Sequence, residues 1–413
     1  MAGKNDGKPK YILGLRGNAL VAAMTEFVID CGIFLTDAFW SLYVLALSAT
    51  ITDLGLFSLI TGLLPALFIA PAGLLGDRVS RKKVIVFGGF ISGLGPLLNA
   101  FATHWIFLIP GTLLSSINPM IRPARQALMA GDISPEERGK AFSTVFTLMM
   151  LPDTFMPPLA GFFLDQTGLV SGMRYLLLAS GILRIGVALM RQKLLKERET
   201  HTLRSPQGGT PRSIKDTFTA MAQPLTSIRP LRVMLAGSVM ASFSMGLMMR
   251  FQSVYAVDVL GLTNTEWGVI VAGVGVIRVA TRIPLGALSD RWGRRRSILI
   301  NYFLQPPTIL AFAFSRDFVT LFISLAARIV AFNFGGAAWE AMIVDVTPAS
   351  IRGASYGVMG TFEMGTQSSA PLLGSMLWES LSPEWVFYIA ALGRISAATT
   401  LFKFLREPEK RQE

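Results

Sequence analysis

Long apolar stretches separated by short polar segments run along the whole chain. A hydrocarbon core about 30 Å thick needs about 20 apolar residues in a helix that crosses it, and twelve stretches of about this length or longer can be read here. The pattern predicts an all-α integral membrane protein with twelve transmembrane helices. Their expected ranges are 17–47, 50–76, 84–103, 105–131, 139–165, 171–192, 231–258, 264–289, 297–315, 317–345, 353–378 and 384–405.

One polar segment is much longer than the others and lies between the sixth and seventh apolar stretches. It contains RSPQGGTPRS, and such clusters of glycine, proline and serine are typical of loops. The sequence therefore predicts an N-terminal six-helix bundle over residues 1–192, a linker over 193–230 and a C-terminal six-helix bundle over 231–413.

Charged residues are few and unevenly distributed. They make up 15% of the chain, against about 25% in a typical soluble domain. Basic residues fall in alternate loops and in the central linker, where we place Arg191, whereas the other loops carry mainly acids. By the positive-inside rule, both termini and the linker are cytoplasmic in a multi-pass protein of the cell membrane. The net charge of +12 then reflects topology and contact with the lipid bilayer, and no nucleic-acid partner is expected.

The chain carries an internal repeat. The segment GLLGDRVSRKK, which begins at Gly73, returns 213 positions later as GALSDRWGRRR, which begins at Gly286. Further matches follow in the same order at offsets of 212 and 214, namely FWSLY at Phe39 with FQSVY at Phe251, and Pro157 with Pro371. Several shared motifs in one order indicate two six-helix halves inserted in the same orientation, which is the parallel-repeat architecture of transporters.

The repeated segment resembles the signature of the major facilitator superfamily of secondary transporters, G-x-L-a-D-R-x-G-R-K, between the second and third helices. Ser80 stands where the family has glycine, whereas the second copy keeps Gly293. The resemblance covers essentially the whole chain. It implies that helices one, four, seven and ten surround a central cavity, and that a small-molecule substrate binds there. We expect a monomer.

Residues of the two signature copies form a predicted cytoplasmic gate. The resemblance implies that Asp77 contacts the start of helix eleven, near Gly353, when the cytoplasmic side is closed. The alternative is that these charges only fix the topology, although aspartate and glycine in register favour a gate. The predicted gate residues are Gly73, Asp77, Arg78, Arg81 and Arg138 in the first half, and Gly286, Asp290, Arg291, Arg294 and Arg352 in the second.

Acidic residues within the apolar stretches are the candidates for proton coupling. Charges inside a membrane are energetically expensive and usually functional, and burial favours the neutral form of a carboxyl group. Histidines are absent from the predicted spans, so carboxylates are the expected proton carriers. The candidates are Asp30, Asp153, Glu363 and Glu26.

Basic and polar residues on the expected cavity helices are the candidates for substrate binding. Guanidinium groups suit a solute that bears a carboxylate or phosphate. The predicted cavity residues are Arg122, Arg125, Arg278, Arg250 and Asn333. An alternative is a fixed ion pair of Glu26 or Asp30 with Arg122 or Arg125 that only holds helices together. Arg184 and Arg394 are expected in the outer scaffold.

Other kinds of chemistry find no support in the sequence. Cys31 is the only cysteine, and His104 and His201 are the only histidines, which argues against a disulfide framework and against a metal site built on these residue types. There is no G-x-x-x-x-G-K-[ST] loop for ATP. We therefore expect neither an enzyme nor a metal or cofactor site.

The function expected from these features is secondary active transport of a small organic solute by alternating access, coupled to protons. One alternative is a proton-antiport efflux pump for amphipathic drugs or metabolites. PPLAG, at residues 157–161, is a degraded version of the antiporter motif G-P-x-x-G-G of the fifth helix, with Met156 in place of a glycine. A second alternative is a membrane sensor or scaffold that moves no solute and binds a partner through its linker.

Overall fold

The twelve predicted spans are present in the computed structural model, with ends within three residues of the expected ones. The structure describes residues 15, 17–76, 80–130, 133, 138–196, 228–348 and 351–406. For 66–76, 119–120, 123, 127, 130, 138–142 and 353–354, this description covers the backbone only. Most of the predicted linker lies outside the described residues.

The helices are named in chain order. The first half contains α1 (Gly17–Asp37, continued as Trp40–Ala46), α2 (Ile51–Gly76), α3 (Arg81–Ala100), α4 (Leu108–Ser115, Ile117–Met120 and Arg122–Ala130), α5 (Arg138–Thr167) and α6 (Leu169–Leu194). The second half contains α7 (Arg229–Met249, continued as Gln252–Val254 and a π turn Tyr255–Val259), α8 (Asn264–Trp292), α9 (Arg294–Ala313), α10 (Phe318–Val346), α11 (Arg352–Ser380) and α12 (Pro383–Phe404).

By length and composition, seven of the helices in the described residues can each cross a membrane on their own, and these are α1, α3, α6, α7, α8, α10 and α12. Of the other spans, α2 and α4 contain shorter apolar helices, whereas α5, α9 and α11 are continuous helices of 30, 20 and 29 residues. In α4 the breaks fall near Pro119 and Pro123, because proline lacks the N–H that would bond one turn back. The all-helical membrane fold predicted from the sequence is confirmed.

The internal repeat extends to side-chain contacts. The hydroxyl of Tyr43 donates to the carbonyl of Asn99 at 3.1 Å, and that of Tyr255 donates to the carbonyl of Ala313 at 2.9 Å. Each bond fixes the outer end of the first helix of a half to the end of its third helix. The two tyrosines are buried, so they pack inside their halves.

Among the described residues, the two halves share an apolar core at their outer face. An apolar cluster joins their outer ends, with Phe39, Tyr43 and Leu164 from the first half and Phe251 and Trp267 from the second. Toward the cytoplasmic face, the described residues form two separate clusters, one within each half. In the part of the chain that the structure describes, the halves are therefore joined at the outer face and separate toward the cytoplasm.

Among the described residues, two helix pairs carry most of the contact between the halves, α5 with α8 and α2 with α11. Glycines allow their close approach: a Cβ on Gly268 would meet the backbone of Pro157 and Pro158, and one on Gly62 would overlap the hydroxyl of Ser368. Small residues at such crossings are typical of helix packing in membranes.

Two carboxylates close the outer face by capping helices of the opposite half. Asp165, in the last turn of α5, accepts hydrogen bonds from the backbone N–H groups of Asn264 (3.1 Å) and Thr265 (2.9 Å) at the start of α8. Glu379, near the end of α11, accepts from the backbone N–H of Thr52 at 3.0 Å at the start of α2. Negative charge is favoured at a helix N-terminus. The two acids are 214 positions apart, so equivalent caps form at repeat-related positions of the two halves.

Candidate functional site

A cavity of about 500 Å³ lies between the halves. Seven helices form its wall, and five of them, α7 to α10 and α12, belong to the second half. Half of the lining residues have methionine, aromatic or aliphatic side chains, and the other half are polar or charged. The residues that line it are Phe34, Asp37, Ala38, Ser41, Asp153, Ala241, Ser244, Met245, Met248, Met249, Arg250, Gln252, Ser253, Trp267, Val271, Arg278, Gln305, Ile309, Arg328, Ile329, Phe332 and Arg394.

The charged groups of this wall are unequal in number and in position. The second half contributes the arginines Arg250, Arg278, Arg328 and Arg394, and the first half contributes the acids Asp37 and Asp153. With all six ionised, the described wall carries a net charge of +2. Apolar side chains surround this charge, and a positive cavity in a low-dielectric environment attracts anions.

One ion pair in the wall connects the two halves. Arg278 Nη1 of α8 lies 2.6 Å from Asp153 Oδ2 of α5. Asp153 is 6% exposed, whereas the side chain of Arg278 is 37% exposed and faces the cavity. Gly275 lies one turn before Arg278, and a Cβ atom added to it would lie 3.5 Å from Asp153. The close approach of α5 and α8 therefore brings the two charges together.

Two other arginines of the wall have polar partners without charge. The guanidinium of Arg328 donates to the sulfur of Met248 at 3.5 Å and to the amide oxygen of Gln252 at 3.4 Å. Arg394 donates to the amide oxygen of Gln305 and lies over the ring of Tyr302 at 4.7 Å. No carboxylate of the described residues lies within ion-pair distance of either guanidinium.

Arg394 was expected in the outer scaffold, and that expectation is wrong because the residue lines the cavity. Burial alone does not distinguish Arg394 from its repeat-related residue in α6. Buried positions of α6 recur in α12 at an offset of 210, and this offset relates Arg184 to Arg394. Both are buried, but Arg184 bonds the carbonyl of Ser92 in α3 at 3.5 Å and does not line the cavity.

A second group of charges is buried within the first half. Glu26 of α1 pairs with Arg125 of α4 at 2.6 Å and with Arg191 of α6. Arg191 also donates to the hydroxyl of Thr25 at 3.1 Å. Glu26 and Arg191 are 2% and 1% exposed. The placement of Arg191 in the linker is wrong, since it occupies the last turn of α6 and is fully buried there.

The other predicted site residues lie outside the described wall of this cavity. Asp30 is buried one turn beyond Glu26 in α1, and Glu363 lies in α11 close to the hydroxyl of Ser238. Arg122 is exposed and lies over the ring of Phe146 at 5.7 Å. Asn333 donates to the carbonyl of Arg278 and the hydroxyl of Thr281, at 2.8 and 2.9 Å, and so connects α10 to α8.

The described gate residues of the second half make contacts within that half. Arg294 pairs with Asp345 at the end of α10, and Arg352 donates to the carbonyls of Val344 and Thr347 at 3.2 and 3.4 Å. Asp290, Arg291 and Arg81 are exposed, and no described atom lies within 4 Å of the Cβ position of Gly286. The side chains of Asp77, Arg78 and Arg138, and the surroundings of Gly73, lie outside the described residues.

The described residues contain no group of three or more histidine, cysteine, aspartate or glutamate side chains that could hold a metal ion. The cavity lies between two repeat-related bundles that share an apolar core among the described residues. This arrangement defines a membrane transporter built from parallel repeats.

The comparisons with known proteins agree with this class. The family model described as Major Facilitator Superfamily matches residues 22–305 and 233–413. The chain therefore belongs to the major facilitator superfamily and is a multi-pass membrane protein of the secondary-transporter class.

Individual relatives are distant. An uncharacterized MFS-type transporter of Methanocaldococcus jannaschii is 24% identical over 391 residues, which cover 89% of this chain and 92% of that protein. The class H tetracycline resistance protein of Pasteurella multocida is 32% identical over 151 residues, or 36% of each chain. Among solved structures, the nucleoside transporter NupG has a TM-score of 0.75 at 13% identity, over 95% of this chain and all of that one.

Proposed function

We propose that this protein is a proton-coupled secondary transporter that moves a small organic solute across the cell membrane by alternating access, as a monomer. The ion pair between Asp153 and Arg278 is the observation that carries this proposal. It lies in the cavity wall, it joins the two halves, and protonation of one group would break it. The remaining predicted site residues keep their proposed roles in other states of the transport cycle.

The ion pair can couple protons to solute in two ways. A proton on Asp153 removes the negative charge that holds Arg278, so the guanidinium becomes free to bind solute. The same proton removes an attraction between α5 and α8, which biases the halves toward a different arrangement. Coupling free energies of about 1–3 kcal/mol change a two-state balance about 5- to 150-fold, and a half-buried ion pair has a strength of this order.

Closure of the cytoplasmic face requires contacts that this open arrangement lacks among the described residues. We propose that the signature residues of both halves, with Asp77 and Asp290 at their centres, make them when the cleft closes. Asp30, Glu26 and Glu363 remain proposed proton carriers, each buried or half-buried within one half.

Proteoliposomes that contain a pH-sensitive dye test proton coupling directly. Solutes from a panel of organic acids, nucleosides and drugs are added outside, and the internal pH is followed. We expect at least one solute to change the internal pH with the wild-type protein and with Asp317→Asn, an outer-loop control. The Asp153→Asn variant should move the same solute without a pH change. Solute movement that never changes internal pH would leave a uniporter.

Export by proton antiport is the second candidate function. The methionines Met245, Met248 and Met249 line the cavity, and methionine adapts to apolar ligands of different shapes. The similarity to a tetracycline resistance protein supports the same candidate. The direction of flux separates the two: under an inward proton gradient, a symporter accumulates the solute inside the vesicle and an antiporter expels it.

A further inference from the structure

We propose that the solute is an amphipathic organic anion, whose acid group is bound by Arg328 and Arg394 and whose apolar part lies against the methionine and aromatic wall. This inference rests on the proposed transport function and names the substrate class of the same cavity. It starts from a charge imbalance that the protein itself leaves uncorrected in the described residues.

Arg328 and Arg394 have no carboxylate counter-charge within ion-pair distance among the described residues. Arg394 is 7% exposed and Arg328 is half-buried, and both lie within the membrane-spanning part of the second half. The positive charges of Arg394 and Arg278 act on Arg328. Of the two acids in the wall, Asp153 is already paired with Arg278, and among the described residues Asp37 forms no ion pair with Arg328 or Arg394. A buried cation without a counter-charge is energetically expensive. An anionic ligand would supply the missing charge.

The second step concerns hydrogen-bond capacity. A guanidinium has five N–H donors in a fork that fits a carboxylate or phosphate. Arg328 uses its donors on a thioether sulfur and one amide oxygen, and Arg394 uses one donor on the amide oxygen of Gln305. Gln252 and Gln305 hold the two side chains in place at the cavity wall. Both guanidinium groups thus keep donors for a ligand that accepts hydrogen bonds.

The third step concerns the remaining wall. Met245, Met248, Ile329, Phe332 and Trp267 provide apolar surface next to the arginines. A volume of about 500 Å³ is within the range of sites for drug-sized ligands. An inorganic anion would leave the apolar surface uncovered.

The test is a binding measurement on purified full-length protein in detergent, and it requires neither transport nor a proton gradient. The probes are six aryl carboxylates of increasing size, from benzoate to naphthoate and biphenyl carboxylate, each compared with its uncharged carboxamide and with the matching arylmethyl-ammonium ion. Equilibrium dialysis gives the affinity, and the ligand-induced change in Tm gives an independent readout. We expect at least one carboxylate to bind at least about tenfold more tightly than its carboxamide, since hydrogen bonds to charged groups are the stronger ones.

Matched variants locate the anion site. Arg328→Gln and Arg394→Gln should each weaken carboxylate binding about 10- to 100-fold and leave carboxamide binding nearly unchanged. Arg184→Gln, the same substitution at the repeat-related position of Arg394 outside the cavity, should keep the preference for the carboxylate. Arg328→Lys should restore part of the affinity. Variants are compared only after size-exclusion chromatography shows monodisperse protein.

The wild-type selectivity decides the proposal even if a variant fails to fold. If no carboxylate binds better than its carboxamide, or if the ammonium ions bind best, the substrate is not an organic anion. If the carboxylates bind selectively but Arg328→Gln and Arg394→Gln retain that selectivity, the acid group binds elsewhere and the proposed site is wrong. Anion binding without any proton movement in vesicles would instead contradict the coupling proposed above and leave this inference standing.

Discussion

The two halves descend from one repeat but use their buried charges differently. In the first half, Glu26 is enclosed by Arg125 and Arg191, away from the wall of the cavity. In the second half, Arg328 and Arg394 face the cavity with only amide, sulfur and ring partners. A paired charge holds helices in one arrangement, whereas a charge without a counter-ion is suited to a ligand that comes and goes.

The contacts that connect the two halves also include both symmetric and asymmetric ones. At the outer face, Asp165 and Glu379 make equivalent caps in both directions. At mid-depth, the ion pair of Asp153 and Arg278 has no copy, because the positions related to these residues by the repeat are Gln367 and Pro65. The outer caps are therefore common to both halves, whereas the ion pair between Asp153 and Arg278 is not repeated at the related positions.

The largest effect is expected where the paired charges of the first half are broken. Glu26→Gln removes the carboxylate between two buried guanidinium groups, and an uncompensated buried charge destabilises by about 3–5 kcal/mol. We expect a clearly lower Tm in detergent. Asp37→Asn, an exposed acid on the same helix, is the control for stability and should leave Tm almost unchanged. If Glu26→Gln leaves Tm unchanged but abolishes proton coupling, Glu26 acts as the proton carrier predicted from the sequence and does not stabilise the fold.

The next largest effect is expected at the ion pair that connects the halves. Asp153→Asn mimics the protonated acid and should shift the population away from the cytoplasm-open state by about 5- to 150-fold. Spin labels at Lys83→Cys and Arg296→Cys, in a Cys31→Ser background, report the cytoplasmic opening as a distance distribution. Both labelled positions are exposed and are related by the repeat.

A double-variant cycle tests whether this pair acts as one unit. Arg278→Gln should produce the same direction of shift, and the double variant should shift the population no further than either single change. Additive shifts would mean that the two residues act independently and would remove the ion pair as the coupling element.

A smaller effect is expected from the outer caps, where the two halves are equivalent. Asp165→Asn and Glu379→Gln each remove a charged cap, and loss of a cap costs about 0.5–2 kcal/mol. Since the caps exist only while the outer face is closed, each change should shorten the cytoplasmic label distance by favouring the outward-open state. Asp317→Asn removes a cap within one half, at Thr320, and should not change this distance. If Asp165→Asn and Glu379→Gln change the label distance by different amounts, the two caps contribute unequally to closure although their contacts are equivalent.

The smallest effect concerns the cap at Asp317 itself. The backbone N–H and hydroxyl of Thr320 donate to this carboxylate and hold its pKa below the ordinary value of 3.8. A lowered pKa means that the ionised group stabilises the folded state above the unfolded pKa, and that this contribution is lost as the pH falls through the folded pKa. The Tm difference between wild type and Asp317→Asn should therefore be present at neutral pH and vanish in acid.

The repeat places a different capping residue at the position of the first half that corresponds to Asp317. His104 stands 213 positions before Asp317, and its ring nitrogen accepts from the N–H of Ile106 at 3.5 Å. Because the cap at His104 contains no carboxylate, His104→Asn should not reproduce the acid profile of Asp317→Asn. A matching acid profile for both variants would mean that the observed transition belongs to other groups.

The sequence by itself determined the number of spans, their ends and the duplication. These features depend on local properties, namely the length of apolar runs, the prolines and the spacing of repeated motifs, which any fold must respect. From the sequence, Arg278 and Arg250 were predicted as cavity residues and Asp153 as a proton-coupling residue, and all three line the cavity. The functions of these residues, like the division into domains at 192 and 231, remain predictions.

Only the tertiary structure decided which charges meet. Asp153 and Arg278 are 125 positions apart, and no periodicity along the chain relates the faces of α5 and α8. Arg184 and Arg394 have the same place in the repeat and the same burial, yet one packs against α3 and the other lines the cavity. The physical reason is that hydrophobicity fixes each helix in the membrane, whereas its rotation and partners depend on packing against helices that are distant in sequence.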